Sequence, residues 1–364
     1  MSSDLNKMMN TIRKRTGSST FTDSVYGEIS SYINTGCMAL NRIISGDING
    51  GIPQGRNVLF GGESGVGKSL IAAQIIKNAL DSGFKHIFYL DSEGGGLKDF
   101  FTNLGCDLDR IEHILVNTVE ETTATVNKLY DSIIEHKKEN PEDQFLIVLD
   151  SLGNLVTEKF YTDAIEKDKQ VTDMGLRVRA CNGLMQSTTI PALKADTTFI
   201  AINHVYDDPG SMFTQKIKSQ SGGKKLAYVA TVTIQCTKAL LKAEKKDKGP
   251  DGGHYNGADL KFFTVKNRLV KPFVEAEMHI DFSKGIDKWD GLIEPAVNYG
   301  FIKQAGAWYE VPSYSDKKVQ RSELLKNDDI WNTFLDEFNE ASKKELAYSS
   351  VNTIDELNNL ETEV

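Results

Sequence analysis

Eight consecutive residues carry the strongest chemical signal in the chain. GESGVGKS, made of Gly62, Glu63, Ser64, Gly65, Val66, Gly67, Lys68 and Ser69, fits G-x-x-x-x-G-K-[ST] without exception. Glycines let backbone N–H groups curl around phosphate oxygens, and a helix opening there adds its dipole. Lys68 is expected to reach the β- and γ-phosphates of ATP, and the Ser69 hydroxyl to bind Mg²⁺. A plain glycine-rich turn is the alternative. The flanking sequence argues against it: NVLF precedes as a short apolar strand, and SLIAAQIIKNAL follows with helical periodicity.

Three further residues stand at predicted strand ends. Asp150 closes FLIVLD, a continuous apolar run suited to a strand buried on both faces, and is placed to hold Mg²⁺ through water. Glu93, in FYLDSE, can orient or deprotonate an attacking water; an exposed loop acid is the competing reading. His204 ends TTFIAINH, where a polar side chain can contact the γ-phosphate and report its loss to the following loop, although a lone histidine is often structural. Strand ends on one sheet edge are where open α/β folds bind ligands.

The elements that must position these residues alternate. NVLF, HIFYL, IEHILV, FLIVLD and TTFIAIN read as strands, with helices between them. LKDFFTNLG is a short helix, and VEETTATVNKLYDSIIEHKKE carries acids in its first turn and lysines in its last. A further helix covers roughly MGLRVRACNGLMQSTT. Such alternation predicts an α/β domain with a mostly parallel central sheet. After Asn203 the alternating runs YVATVTIQCT, DLKFFTVKN and FVEAEMHI predict an antiparallel extension. The expected organisation is an arm over residues 1–30, a core over 31–284, a small C-terminal α/β domain over 285–346 and an acidic tail over 347–364.

Composition narrows the class. The chain has 364 residues, 40% hydrophobic and 26% charged, which suits a soluble globular protein with one large domain. No apolar stretch is long enough to cross a bilayer, and the polar N-terminus has no secretory h-region, so a cytoplasmic location is expected. Cys37, Cys106, Cys181 and Cys236 are scattered without a CxxC spacing, and neither a zinc site nor a disulfide framework is suggested. A net charge of −9 argues against coating nucleic acid by bulk charge. Locally the balance reverses: residues 203–248 hold nine lysines against four acids. A solvated charged surface is the bland reading of that run.

INTGCMALNRIISG, GGIPQGR, the glycine-rich loop, FYLDSE, FLIVLDS, TDMGLRV, FIAINH, and GLIEPAVNYGFI with GAWY stand in the order found in RecA-type recombinases. The resemblance covers residues 30 to 310, and YLDSEGG, DSLGNL and AINHVY resemble the UvsX branch of T-even phages. It implies a RecA-like P-loop NTPase core and ATP hydrolysis with Mg²⁺. Glu93 matches the family's catalytic glutamate, and Phe100 the aromatic packed near adenine. His204 stands where bacterial members carry a glutamine that senses the γ-phosphate. Lys266 and Arg268, in VKNR, match the cations that reach the neighbouring subunit's ATP, where bacterial members carry two lysines.

The same resemblance implies two DNA-contacting loops. The first, near residues 158–173, leads into a helix with Arg177 and Arg179, and its many acids weaken the assignment. The second, residues 205–225, contains Met212, Phe213, Lys216, Lys218 and the pair Gly222–Gly223. Lysines and N–H groups suit phosphates, apolar side chains can wedge between bases, and the glycines leave the loop free to order on its ligand. A flexible basic surface loop fits the local sequence equally well. The arm resembles the segment that docks one subunit on the next, and Trp308 with Tyr309 are expected in a small hairpin core.

The activity so implied is that of an ATP- and single-stranded-DNA-dependent recombinase. It would form a helical homo-filament, capture double-stranded DNA and exchange strands in recombination, repair and recombination-dependent replication. A phage single-strand-binding protein and a recombination mediator are the implied partners. Two alternatives share the nucleotide motifs: a ring-forming hexameric helicase and a non-motor ATP-sensing scaffold.

Overall fold

The computed structural model describes residues 3–24, 26, 28–95, 97–166, 174–206, 217–223, 225–238, 257–281 and 285–348. A largely exposed helix α1 (Ser3–Thr16) comes first. β1 (Tyr32–Ile33) pairs antiparallel with β2 (Ile52–Pro53) around α2 (Met38–Ser45). Alternation then begins with β3 (Asn57–Gly62), α3 (Lys68–Asp81), β4 (His86–Asp91), α4 (Leu97–Asn103), β5 (Ile111–Leu115), α5 (Val119–His136) and β6 (Phe145–Asp150). Three helices, α6 (Glu158–Glu166), α7 (Met174–Ser187) and α8 (Thr189–Lys194), precede β7 (Thr198–Tyr206). β8 (Ser219–Gln220), α9 (Leu226–Val229), β9 (Val232–Lys238), β10 (Gly257–Asn267), β11 (Glu275–Asp281) and β12 (Gly285–Ile286) complete the large sheet.

Its order is β12-β11-β10-β9-β3-β7-β6-β4-β5, with β8 added beside β7. Every pairing from β9 across to β5 is parallel, and β10, β11 and β12 extend the other edge antiparallel. The mostly parallel α/β sheet read from the sequence is therefore present. One strand differs from expectation: β9 belongs to the parallel body through β3 and is antiparallel only to β10. Residues Tyr228 and Val229, expected in that strand, lie instead in α9. A parallel neighbour requires the chain to be carried back to the start of the sheet. The stretch through α9 does this, ending where the Thr231 N–H donates to the Asn57 carbonyl.

Strand residues alternate between two cores, as the pleat dictates. Val58, Phe60, Leu146, Val148, Ile200 and Ile202 face α2 and α3; Leu59, Ile147, Leu149, Phe199 and Ala201 face α5, α7 and α8. Residues beyond β12 join the first core. They form α10 (Ile293–Asn298), the small sheet β13 (Lys303–Ala305), β14 (Trp308–Val311) and β15 (Ser315–Gln320), then α11 (Arg321–Leu324), α12 (Asp328–Asn332) and α13 (Leu335–Leu346). Trp289 and Trp331 stack at 4.9 Å within it. Tyr309 is buried in this core, whereas Trp308, its expected companion, is 45% exposed because adjacent strand residues face opposite ways.

Helix α5 shows how local sequence fixes an element. Thr118 Oγ1 accepts from the Glu121 N–H, and the Glu121 carboxylate turns back to the Thr118 N–H, a reciprocal capping box. Thr118→Ala should lower stability by about 1 kcal/mol, seen as a lower urea midpoint with unchanged slope.

Candidate functional site

The glycine-rich loop leaves β3 and enters α3. Gly65 and Gly67 take φ of 74° and 76°, the left-handed region that favours glycine. At Gly62 an added Cβ would lie 2.8 Å from the Cys236 carbonyl oxygen, so only glycine permits this approach to β9. Lys68 is buried, and its Nζ donates to the carbonyls of Gly62 at 3.0 Å and Glu63 at 2.6 Å. Burial holds its pKa below the ordinary lysine value, opposed by Cys236 and by the acids Asp150, Glu93 and Glu63.

Asp150 is buried at the end of β6 and accepts hydrogen bonds from the hydroxyls of Ser69 and, at 2.8 Å, Tyr89. Burial raises its pKa, and those two bonds oppose the rise. Ser69 and Asp150 thus form an oxygen-only donor pair, the chemistry that suits Mg²⁺ completed by water and phosphate.

Glu93 lies on a turn shaped by a residue the sequence reading passed over. Asp91, buried at the end of β4, accepts from the N–H groups of Glu93 and Gly94, both at 2.8 Å, and its other oxygen meets His113 Nε2 at 3.0 Å. The turn carries Glu93 to Ser151, whose hydroxyl donates to Glu93 Oε1 at 2.7 Å. His204 Nε2 is 3.3 Å from the same oxygen and 3.4 Å from Ser151 Oγ. His204 is one residue pair inside β7 rather than at its end, level with Gly62. Gly153 makes room for the ring, because a Cβ there would lie 2.4 Å from His204 Cδ2. Asp91 stands two residues before Glu93 in LDSE and Ser151 directly after Asp150 in VLDS, and that proximity was the available signal.

These residues meet around one cavity of about 410 Å³, lined by Ser64, Gly65, Gly67, Lys68, Ser69, Leu70, Glu93, Phe100, Asp150 and His204. Lys266 and Arg268 are not among them. Lys266 pairs in register with Thr233, which is level with Leu59, midway along β3 and three residues from Gly62. That places it about 10 Å down the strand and about 10 Å across from Gly62. Its ammonium rests on the carbonyls of Tyr228 and Ala230. Burial, followed by the charge of Arg268, lowers its pKa to about 8. Arg268 is exposed.

Of the residues read as DNA contacts, Met212, Phe213 and Lys216 lie outside the described residues. Arg179 is exposed on α7. Arg177 is turned inward: it donates to the carbonyls of Leu152, Gly153 and Leu155 and to Ser221 Oγ. Lys218 pairs with the Glu63 carboxylate of the phosphate loop. Gly222 and Gly223 take φ of 94° and 98° and pack on α7, where a Cβ would lie 3.2 Å from Cys181 and 3.1 Å from Val178. Both glycines therefore allow close packing against α7.

A glycine loop entering a helix, a buried lysine and a Ser–Asp pair at parallel strand ends define a P-loop nucleoside-triphosphate site. The whole chain can be placed further, for the RecA N-terminal domain family matches residues 3–287, and the protein belongs to the RecA family. The chain is similar to Protein RecA of Mycobacterium sp. (strain KMS), 28% identical over 90% of this chain and 87% of the relative. Protein RecA of Nocardia farcinica (strain IFM 10152) is 29% identical over 82% of this chain and 80% of its own length. No helix among the described residues is long and apolar enough to cross a membrane.

The bonding of Arg177 separates it from its neighbour two residues on. Arg177→Ala should cost about 1–3 kcal/mol by orphaning carbonyls, whereas Arg179→Ala should stay within about 0.5 kcal/mol. Thermal denaturation of the two variants makes the comparison.

Proposed function

We propose that this protein is a single-stranded-DNA-dependent ATPase that assembles as a helical filament on single-stranded DNA and carries out homologous pairing and strand exchange. The observation that carries the reading is the separation within one subunit of the phosphate loop from Lys266 and Arg268. Cations set about 10 Å down and about 10 Å across from the loop do not line its cavity, and in this reading head-to-tail stacking brings them to the next subunit's loop. Charge developing on the transferred phosphoryl group is then met only in an assembly. RecA-family membership favours this reading over a ring-forming helicase or a scaffold.

Within the site, Lys68 holds the β- and γ-phosphates, and Phe100 packs near adenine. Ser69 and, through water, Asp150 would hold Mg²⁺, which would supply positive charge against the phosphates. Glu93 orients and deprotonates the attacking water, with its carboxylate aimed by Ser151. His204 touches Glu93 and begins the approach to residues 205–225, so loss of the γ-phosphate is felt where DNA is held. DNA contacts run mainly to backbone, through Arg179, Lys216 and apolar wedges Met212 and Phe213, so bases are left to read one another. Hydrolysis weakens the filament and releases product. A single-strand-binding protein and a loading mediator of phage type are the partners proposed.

Electron microscopy with single-stranded DNA and a non-hydrolysable ATP analogue should show continuous helical filaments; closed rings or isolated particles would overturn the reading. Lys68→Ala should abolish ATP hydrolysis, and retained turnover would remove the phosphate-loop assignment.

Proton linkage supplies a second test. In the free subunit Lys266 is half neutral near pH 8, while contact with a neighbour's phosphates demands the ammonium. Assembly therefore takes up a proton, and assembly-dependent ATPase activity should fall as pH rises through about 8. Folding runs the other way: the unfolded lysine keeps its proton to its ordinary 10.5, so this group makes the subunit more stable with rising pH between those values. Lys266→Arg should flatten the activity profile in that window.

A further inference from the structure

Lys218 lies in the stretch read from the sequence as DNA-facing, yet its backbone is built into the nucleotide end of the sheet. Its N–H donates to Oε1 of Gln235 at 2.8 Å, and Gln235 is itself buried on β9. The next two residues form β8, in register with Val205 and Tyr206 of β7. Gln220 lies directly over Gly61, where a Cβ would fall 2.4 Å from its Nε2, and its Oε1 accepts from Asn203 Nδ2 at 2.9 Å. The Ser221 N–H then donates to the His204 carbonyl at 2.8 Å. Strands β3, β7 and β9 together therefore fix where the Lys218 side chain begins.

That side chain runs to Glu63. The two groups form an ion pair in which Lys218 is only 16% exposed. Glu63 is the one acid within GESGVGKS, and Lys68 Nζ already holds its backbone carbonyl at 2.6 Å. One residue of the phosphate loop is thus gripped twice, by Lys68 at its backbone and by Lys218 at its carboxylate. A bare carboxylate on the loop beside a polyphosphate cradle repels the ligand; a lysine placed against it cancels that repulsion and leaves the loop's N–H groups to act.

We propose that Lys218 is a positioning residue of the nucleotide site: it neutralises and holds Glu63 so that the phosphate loop accepts a nucleoside polyphosphate, and it is not a DNA-phosphate contact. The inference rests on the phosphate-loop reading given above. It also ties the exit of the 205–225 stretch to the phosphate loop.

The test is equilibrium binding of a fluorescent ADP analogue to the full-length protein without DNA. It compares wild type with Lys218→Gln, Lys218→Arg, Glu63→Gln and the Lys218→Gln/Glu63→Gln double variant. Lys218→Gln should weaken binding about five- to tenfold by leaving the carboxylate uncompensated. Lys218→Arg should keep most of the affinity, and the double variant should recover most of what Lys218→Gln loses. A purely structural lysine would give no such recovery. In parallel, the salt dependence of single-stranded DNA binding should keep its slope in Lys218→Gln.

If the slope falls by about 0.7–1 while nucleotide affinity is unchanged, Lys218 contacts DNA phosphate and the proposal fails. Unchanged nucleotide affinity with an unchanged slope also overturns it, as does a double variant as weak as the two single losses combined. Wild-type protein that binds no nucleotide would instead sink the phosphate-loop reading itself.

Discussion

Parallel pairing sets Gly62 level with His204 and Asp91 level with Asp150, and the chemistry of the site hangs on that register. Parallel strands all point one way, so their C-terminal ends reach one edge together, and the backbone there is free to turn into loops or helix starts. A slip of one residue in any of these strands would send its side chains to the opposite face. The two cores, apolar on alternate residues of each strand, make such a slip costly. Buried alternation therefore holds the register, and the register holds the site.

Gathering Asp91, Glu93 and Asp150 at one edge carries an electrostatic cost that the surroundings offset with hydrogen-bond donors. Asp91 takes two backbone N–H groups, Asp150 takes two hydroxyls, and Glu93 takes the Ser151 hydroxyl. Tyr89 feels the same field from the other side: burial and the adjacent Asp150 raise its pKa above the ordinary phenol value, so it stays a donor. Cations are kept few at this edge. Lys68 and Lys218 both converge on Glu63, while Lys266 and Arg268 stand two strands away and outside the cavity.

Much of the nucleotide site was legible in the sequence because its parts are local. The loop pattern, the strand before it and the helix after it occupy one continuous stretch, and the apolar runs ending at Asp91 and Asp150 show their own burial. The alternation of strands and helices likewise predicted the parallel body, since strands of that kind need crossovers between them. Direction failed at β9, because period-2 alternation is the same for a strand running either way.

What the sequence by itself determined was therefore the alternation of strands and helices in the parallel body and the residue types brought to its edge. Only the tertiary structure decided which side chains those residues meet. Arg177 and Lys218 read as free cations in a linear chain, but packing turned one onto four acceptors and the other onto Glu63. Gly222–Gly223 read as glycines of a free loop, but they stand against Cys181 and Val178 of α7. Sequence spacing governs contacts within one element. Contacts between strand ends that are 58 and 111 residues apart, such as Glu93 with Ser151 and His204, exist only once the sheet has closed the distance.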